Sequence, residues 1–274
     1  MQINVHHITR YSFSQPQARV IQLLRVTPPS FSGQNVLEWA IDVNCDACLR
    51  TGRDGYGNTT TMLYLSGPVE TLEVAKRGTV LTQDRSGLVE GLPEMLPPAA
   101  YLRQTELSCA DEAIAALARL VEGRSPGKLM TLHTLMTAVH NKMRFDVGEG
   151  DVARGSVQAF REGHGVCQDF AHIFCAAARS RGIPARYVSG HLMRRDDMLT
   201  QPASHAWAEA WIDELGWVGF DVANGVCPDD AYVRVAIGLD YRDAAPLSGV
   251  RTGGGMESLD VTVEVAQAGV QLQA

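Results

Sequence analysis

A chain of 274 residues with 45% hydrophobic and 20% charged residues has ordinary globular composition, which excludes collagen-like, disordered and coiled-coil classes. That length gives one or two domains and buries enough surface to fold without disulfides or a structural metal. Lys and Arg number 24 against 31 Asp and Glu, a net charge of −7 with no long basic run, so nucleic acid and anionic membrane are not expected partners.

The first 85 or so residues read as short strands. Ile3, Val5, His7, Thr9, Tyr11 and Phe13 keep a period of two. Val20–Val26, Val36–Val43, Thr59–Leu65 and Val69–Val74 are further β-branched or aromatic runs, bounded by turn clusters such as Pro28-Pro29, Gly57-Asn58 and Gly67-Pro68. They predict an antiparallel, sandwich-like β-domain over 1–85. Pro93, Pro97 and Pro98 mark 86–107 as a linker of extended chain. Ser108 with Asp111 predicts a cap before a helix over Ala113–Val121, ended by Gly123. Ser125-Pro126 predicts a second start, followed by the stripe Leu129, Leu132, Leu135, Met136, Val139 and Met143. A helix through Phe170–Arg181 follows, stopped by Gly182 and Pro184. Strands are predicted at Ala185–Leu192, His205–Ile212, Trp217–Asp221 and Ser258–Val265, while Arg234–Tyr241 fits either state.

The N-terminal residues lack a basic segment followed by an apolar one, so no secretory leader is expected. No apolar run is long enough to span a membrane. Six scattered cysteines predict reduced thiols and a cytoplasmic setting.

One stretch carries chemistry: Gly163-His164-Gly165-Val166-Cys167-Gln168. Two glycines permit a sharp turn, and Cys167 follows where a helix begins. Free backbone N–H groups and the positive end of the dipole favour thiolate there, and the same N–H groups suit an oxyanion. Cys175, two turns on, reads as apolar filler.

A nucleophilic cysteine needs a base, and the base an acceptor that orients it. His205 begins one strand and Asp221 ends the next. A hairpin centred on Asp213 would oppose the two directly, on one face, within reach of an imidazole–carboxylate hydrogen bond. Cys167, His205 and Asp221 thus form the expected catalytic set. Gln168 and Trp207 are weaker candidates for an oxyanion or substrate-cleft role. His164 is set aside as a base for want of an orienting acceptor. Cys45 and Cys48 supply half of a zinc spacing with no second pair, so no metal is expected, and no organic cofactor either.

The segments Gly165–His172, Arg179–Gly190, Ser204–Glu209 and Gly216–Asp221, together with Val5–Phe13 and Gly55–Asn58, resemble the bacterial transglutaminase-like proteins. The resemblance implies an α+β fold, an N-terminal β-domain before a papain-like, transglutaminase-like catalytic core over 108–274. It implies Cys167, His205 and Asp221 as a triad acting by acyl transfer through a thioester. The chain departs from the family at Val222-Ala223, where Pro-Thr is usual, and at His191, where tyrosine is usual. The expected activity is hydrolysis of amide or peptide bonds in a peptide or protein substrate. The rivals are transfer to a primary amine and, from a different class, a non-catalytic binding module.

Overall fold

The period-two pattern at the start of the chain builds a strand far longer than any single run suggests. In the computed structural model, which describes residues 1–147, 150–195, 200–201 and 203–269, β1 runs Gln2–Leu24, with Ile3, Val5, His7, Thr9, Tyr11 and Phe13 buried on one face. Strands β2 (Gln34–Val43), β3 (Cys48–Arg53) and β4 (Thr59–Thr82) follow. β1 and β4 pair antiparallel along almost their whole length. The sequence breaks each into two shorter strands. Instead, each bends and continues across register shifts between Ser12 and Arg19. Gln17 is buried at that bend, and its amide donates to the carbonyls of Gln15 (2.7 Å) and Gly254 (2.8 Å), which satisfies backbone that the ladder cannot.

A short strand β5 (Leu88–Val89) and a 3-10 turn (Pro98–Leu102) lie within the segment read as linker. Helix α1 (Glu112–Glu122) is capped by Asp111, whose carboxylate accepts from the Ala113 and Ile114 N–H groups at 3.1 Å. Ser108 is not the cap; its hydroxyl is buried and spent on Arg179 (2.6 Å). Helix α2 (Lys128–Lys142) starts after Gly127 rather than at Ser125-Pro126, and buries Leu132, Leu135, Met136 and Val139.

Next come β6 (Arg144–Phe145), α3 (Ser156–Glu162), β7 (His164–Gly165) and α4 (Cys167–Ser180). α4 is buried nearly all round, so its apolar and small residues Phe170, Ile173, Phe174 and Ala176–Ala178 form the centre of the core. Strands β8 (Ala185–Leu192), β9 (Thr200–Gln201), β10 (His205–Ile212), β11 (Gly216–Phe220) and β12 (Tyr232–Gly238) follow. A short α5 (Tyr241–Ala244) then leads to β13 (Leu247–Thr252) and β14 (Glu257–Gln267).

Among the described residues the strands form one small parallel pair, β6 with β7, and two large antiparallel sheets. One has the order β2-β4-β1-β14-β9, with β13 also on β1 and β3 on β4; the other has the order β12-β8-β10-β11-β5. Two features lie across the divisions read from the sequence. β5, from the linker, edges the second sheet against Trp217 and Val218, and β13 and β14 return to the first sheet. Ala208, Ala210 and Ile212 of β10 pack on α4. Trp207, on the other face, packs with Tyr101, Trp217 and Tyr232. Among the described residues, no helix is long and apolar enough to cross a membrane.

Buried charge ties these layers together. Arg179 of α4 donates to the carbonyls of Tyr101 (3.1 Å), Ala185 (2.8 Å) and Leu239 (2.7 Å) as well as to Ser108. Glu209 of β10 is wholly buried between Arg186 (2.6 Å) and Arg234 (2.7 Å).

Candidate active site

The turn before α4 is fixed from both sides. Gly163 ends α3 at φ +74°, a left-handed conformation that costs glycine little. β7 then pairs in parallel with β6, and Val166 is extended before the helix starts at Cys167. The Asp169 carboxylate reaches back to accept the Val166 N–H at 2.9 Å, and Arg154 holds that carboxylate in turn. A Cβ on Gly165 would collide with the Asp169 carboxylate, so glycine is required there for packing. Cys167 is left half-buried on the first turn of a rigid helix.

His205 is the first residue of β10 and stands opposite Gly190 of β8. Its Nε2 lies 2.6 Å from Asp221 Oδ2. Cys167 lies close enough to the same ring to raise its proton affinity, and Nδ1 is the ring nitrogen that Asp221 leaves free. The structure therefore brings Cys167, His205 and Asp221 together from three separate elements.

The hairpin that does this differs in register from the sequence expectation. Ile212 pairs with Gly216 and Ala208 with Phe220, so the loop is centred on Glu214, not Asp213. Gly216, at φ +82°, closes a three-residue loop. The two-residue slip makes His205 and Asp221 diagonal rather than directly opposed. Because side-chain direction repeats every two residues, both stay on one face and still meet.

Asp221 is wholly buried, and its Oδ2 accepts three times: from His205, from Asn224 Nδ2 (2.6 Å) and from the Tyr232 hydroxyl (2.7 Å). Burial would raise the carboxyl, but the His205 charge and these three donors hold it below its ordinary range. Burial likewise would lower His205, yet the Asp221 charge and hydrogen bond, with those of Cys167, raise it to about 10. The ring is thus held as an imidazolium between a carboxylate and a sulfur. Tyr232 has no counterpart in the sequence reading. It comes from β12, eleven residues beyond Asp221, and no local spacing links them.

Trp207 lies beside His205, ring centroids 6.1 Å apart, and meets Tyr232 edge-on at 5.5 Å. It is buried and walls the imidazole. Gln168 is buried next to Cys167 on the first turn of α4. His164 does have the acceptor the sequence reading denied it: Asp146 Oδ2 is 2.5 Å from its Nδ1, brought there by the β6–β7 pairing. Cys175 is fully buried, and burial raises its thiol to about 11, as an inert core residue. Among the described residues, no three His, Cys, Asp or Glu side chains gather as a metal site.

Residues 115–222 match the transglutaminase-like superfamily core, and residues 3–81 match the bacterial transglutaminase-like N-terminal region. The chain belongs to the bacterial transglutaminase-like proteins. An uncharacterized protein of Mycobacterium leprae is 29% identical over 97% of this transglutaminase-like chain and 98% of its own length. A protein-glutamine gamma-glutamyltransferase of Pseudomonas aeruginosa is 32% identical over 33% of this chain and 15% of its own. The solved structure of a candidate cysteine protease from Cytophaga hutchinsonii shares the fold, with a TM-score of 0.79 and 23% identity, covering 100% of this chain and 92% of that one.

Proposed function

We propose that this transglutaminase-like protein is a cysteine-nucleophile enzyme that cleaves amide or peptide bonds by acyl transfer, with water as acceptor. The reading is supported by one observation above all: the His205 imidazole is bound to the buried Asp221 carboxylate at 2.6 Å and is perturbed by the nearby Cys167 sulfur. With its proton held by His205 as an ion pair, the Cys167 sulfur attacks the carbonyl carbon as a thiolate, and the carbonyl electron pair moves to oxygen. Free backbone N–H groups of the first turn of α4 would receive that oxyanion. As the oxyanion collapses, the C–N bond breaks and His205 gives its proton to the departing amine. A thioester and a neutral imidazole remain. His205 then takes a proton from water, the hydroxide oxygen adds to the thioester, and the sulfur leaves as thiolate to regenerate the ion pair. Asp221 keeps the ring in the required tautomer and offsets its charge.

Transfer to a primary amine is the second reading, favoured by the match to the Pseudomonas gamma-glutamyltransferase. It uses the same thioester. Incubation of the protein with glutamine-containing peptides, with and without a labelled amine, separates the two. Hydrolysis predicts ammonia or peptide release, lost in Cys167→Ala, with little label retained. Amine incorporation exceeding release would reverse the order. Iodoacetamide labelling that finds Cys167 no faster than the five other cysteines, with neither reaction detected, would favour a binding module instead.

A further inference from the structure

Away from Cys167, unpaired buried nitrogens gather at one place between the two sheets. His7 of β1 and Lys76 of β4 are directly opposed in register, and both are buried. His191 of β8 stands edge-on to His7, ring centroids 5.6 Å apart. Arg25, just beyond β1, joins them in lining a small cavity with room for about one water-sized body. Lys76 Nζ, His7 Nδ1, His191 Nδ1 and Arg25 Nη1 are all shielded from solvent, and none has a hydrogen-bond partner among the described residues. The remaining nitrogens are better served: His7 Nε2 meets Thr9 Oγ1 at 3.2 Å, and Arg25 Nε donates to Asp54 at 2.9 Å. Among the described residues, no Asp or Glu lines the cavity.

Lys76 Nζ and Arg25 Nη1 are orphaned donors, each imidazole Nδ1 becomes one when it carries its ring's proton, and a buried donor left without a partner is costly. A water molecule offers two lone pairs and brings two donors of its own into a place without a carboxylate to take them. An anion offers acceptance in every direction and a charge opposite to that of Arg25. We propose that this cavity binds a monovalent anion of about chloride's size, held by the Lys76 ammonium and the N–H groups of His7, His191 and Arg25. Since Lys76 and His7 belong to the first sheet and His191 to the second, the anion joins the sheets. It does so next to Gly190, the residue opposite His205.

Without a counter-charge, burial lowers Lys76 to about 7 and His191 to about 3, and burial with the Lys76 and His191 charges holds His7 well below its ordinary value. A negative guest opposes all three shifts, so binding takes up protons. The titratable groups facing Lys76 are His7 of β1, His191 of β8 and Arg25 with its partner Asp54. Affinity therefore falls as pH rises.

Thermal unfolding of the full chain tests this, with sodium gluconate exchanged for chloride at a constant ionic strength of roughly 0.1 M. The midpoint should rise saturably, by about 5 °C or more once chloride exceeds its Kd a hundredfold, more at pH 6 than at pH 9. Bromide should act alike, and Lys76→Met should abolish the response. Crystals of the unmodified protein grown in bromide should give an anomalous peak within hydrogen-bonding reach of Lys76 Nζ, which decides the matter if the variant fails to fold. Equal midpoints in chloride and gluconate, or a cavity holding water with no anomalous signal, would overturn the assignment.

Discussion

Replacing Asp221 by asparagine removes a charge from the candidate site without opening a cavity. The carboxylate is the largest of the causes that lift His205 from 6.5 to about 10 against the opposing effect of burial. At about 1.4 kcal/mol for each tenfold change in proton affinity, that rise is worth roughly 5 kcal/mol in favour of the imidazolium. The Asp221 charge and hydrogen bond are its largest raising causes, with Cys167 adding less. Without the carboxylate, burial should return the ring to 6.5 or below. Nitrogen-15 NMR of the imidazole should show His205 still cationic at pH 8 in the parent and neutral there in Asp221→Asn. The sign of the stability effect follows. A raised folded-state pKa contributes fully below 6.5 and fades as pH climbs through about 10. The variant's deficit in urea unfolding should therefore be largest near pH 6, about 3 kcal/mol or more, and shrink towards pH 10. Matching His205 titrations in parent and variant would refute the reasoning.

Three other substitutions probe the scaffold and the choice of base. Glu209→Gln should cost about 3–5 kcal/mol in urea unfolding, because Arg186 and Arg234 lose the carboxylate that pairs them in the core. Burial would raise Glu209, but Arg234 and Arg186 bring it to about 2, so parent stability should drop as pH falls from the ordinary carboxylate range towards 2. Arg179→Met should cost about 3 kcal/mol, by removing the guanidinium that joins the Tyr101, Ala185 and Leu239 carbonyls in the core, and Arg179→Lys should rescue little, since an ammonium cannot span them. His164→Ala should unfold close to the parent's midpoint, since its half-buried pair with Asp146 is still screened by solvent, and should keep amide cleavage within a few-fold. His205→Ala should lose cleavage altogether; the reverse pattern would make His164 the base.

What could be read from the chain alone was local. Gly163 to Cys167 announces a turn running into a helix, because glycine placement and helix starts are short-range properties. The even separation of His205 and Asp221 signals a shared face, because face depends only on parity. The loop centre is not legible, as Asp213-Glu214-Leu215-Gly216 accepts either register, and Gly216 settled it by taking the left-handed position. Tyr232 and Asp146 escaped notice for one reason: each arrives through strand pairing with no sequence periodicity to advertise it. Lys76 is a clearer case. In an alternating strand a lysine reads as solvent-facing, and only the second sheet laid over β4 buries it.

The pairing of β14 with β1, Ile3 against Gln267 through to Phe13 against Glu257, has a consequence for biosynthesis. A ribosome delivers the opening strand first and its neighbour on that side more than two hundred residues later. Until then an apolar edge stands open to any passing extended segment, a known route to misassembly. Exposure of that edge during synthesis, and sharp sensitivity to removal of Glu257–Gln267, are the expected costs of pairing strands so far apart in sequence.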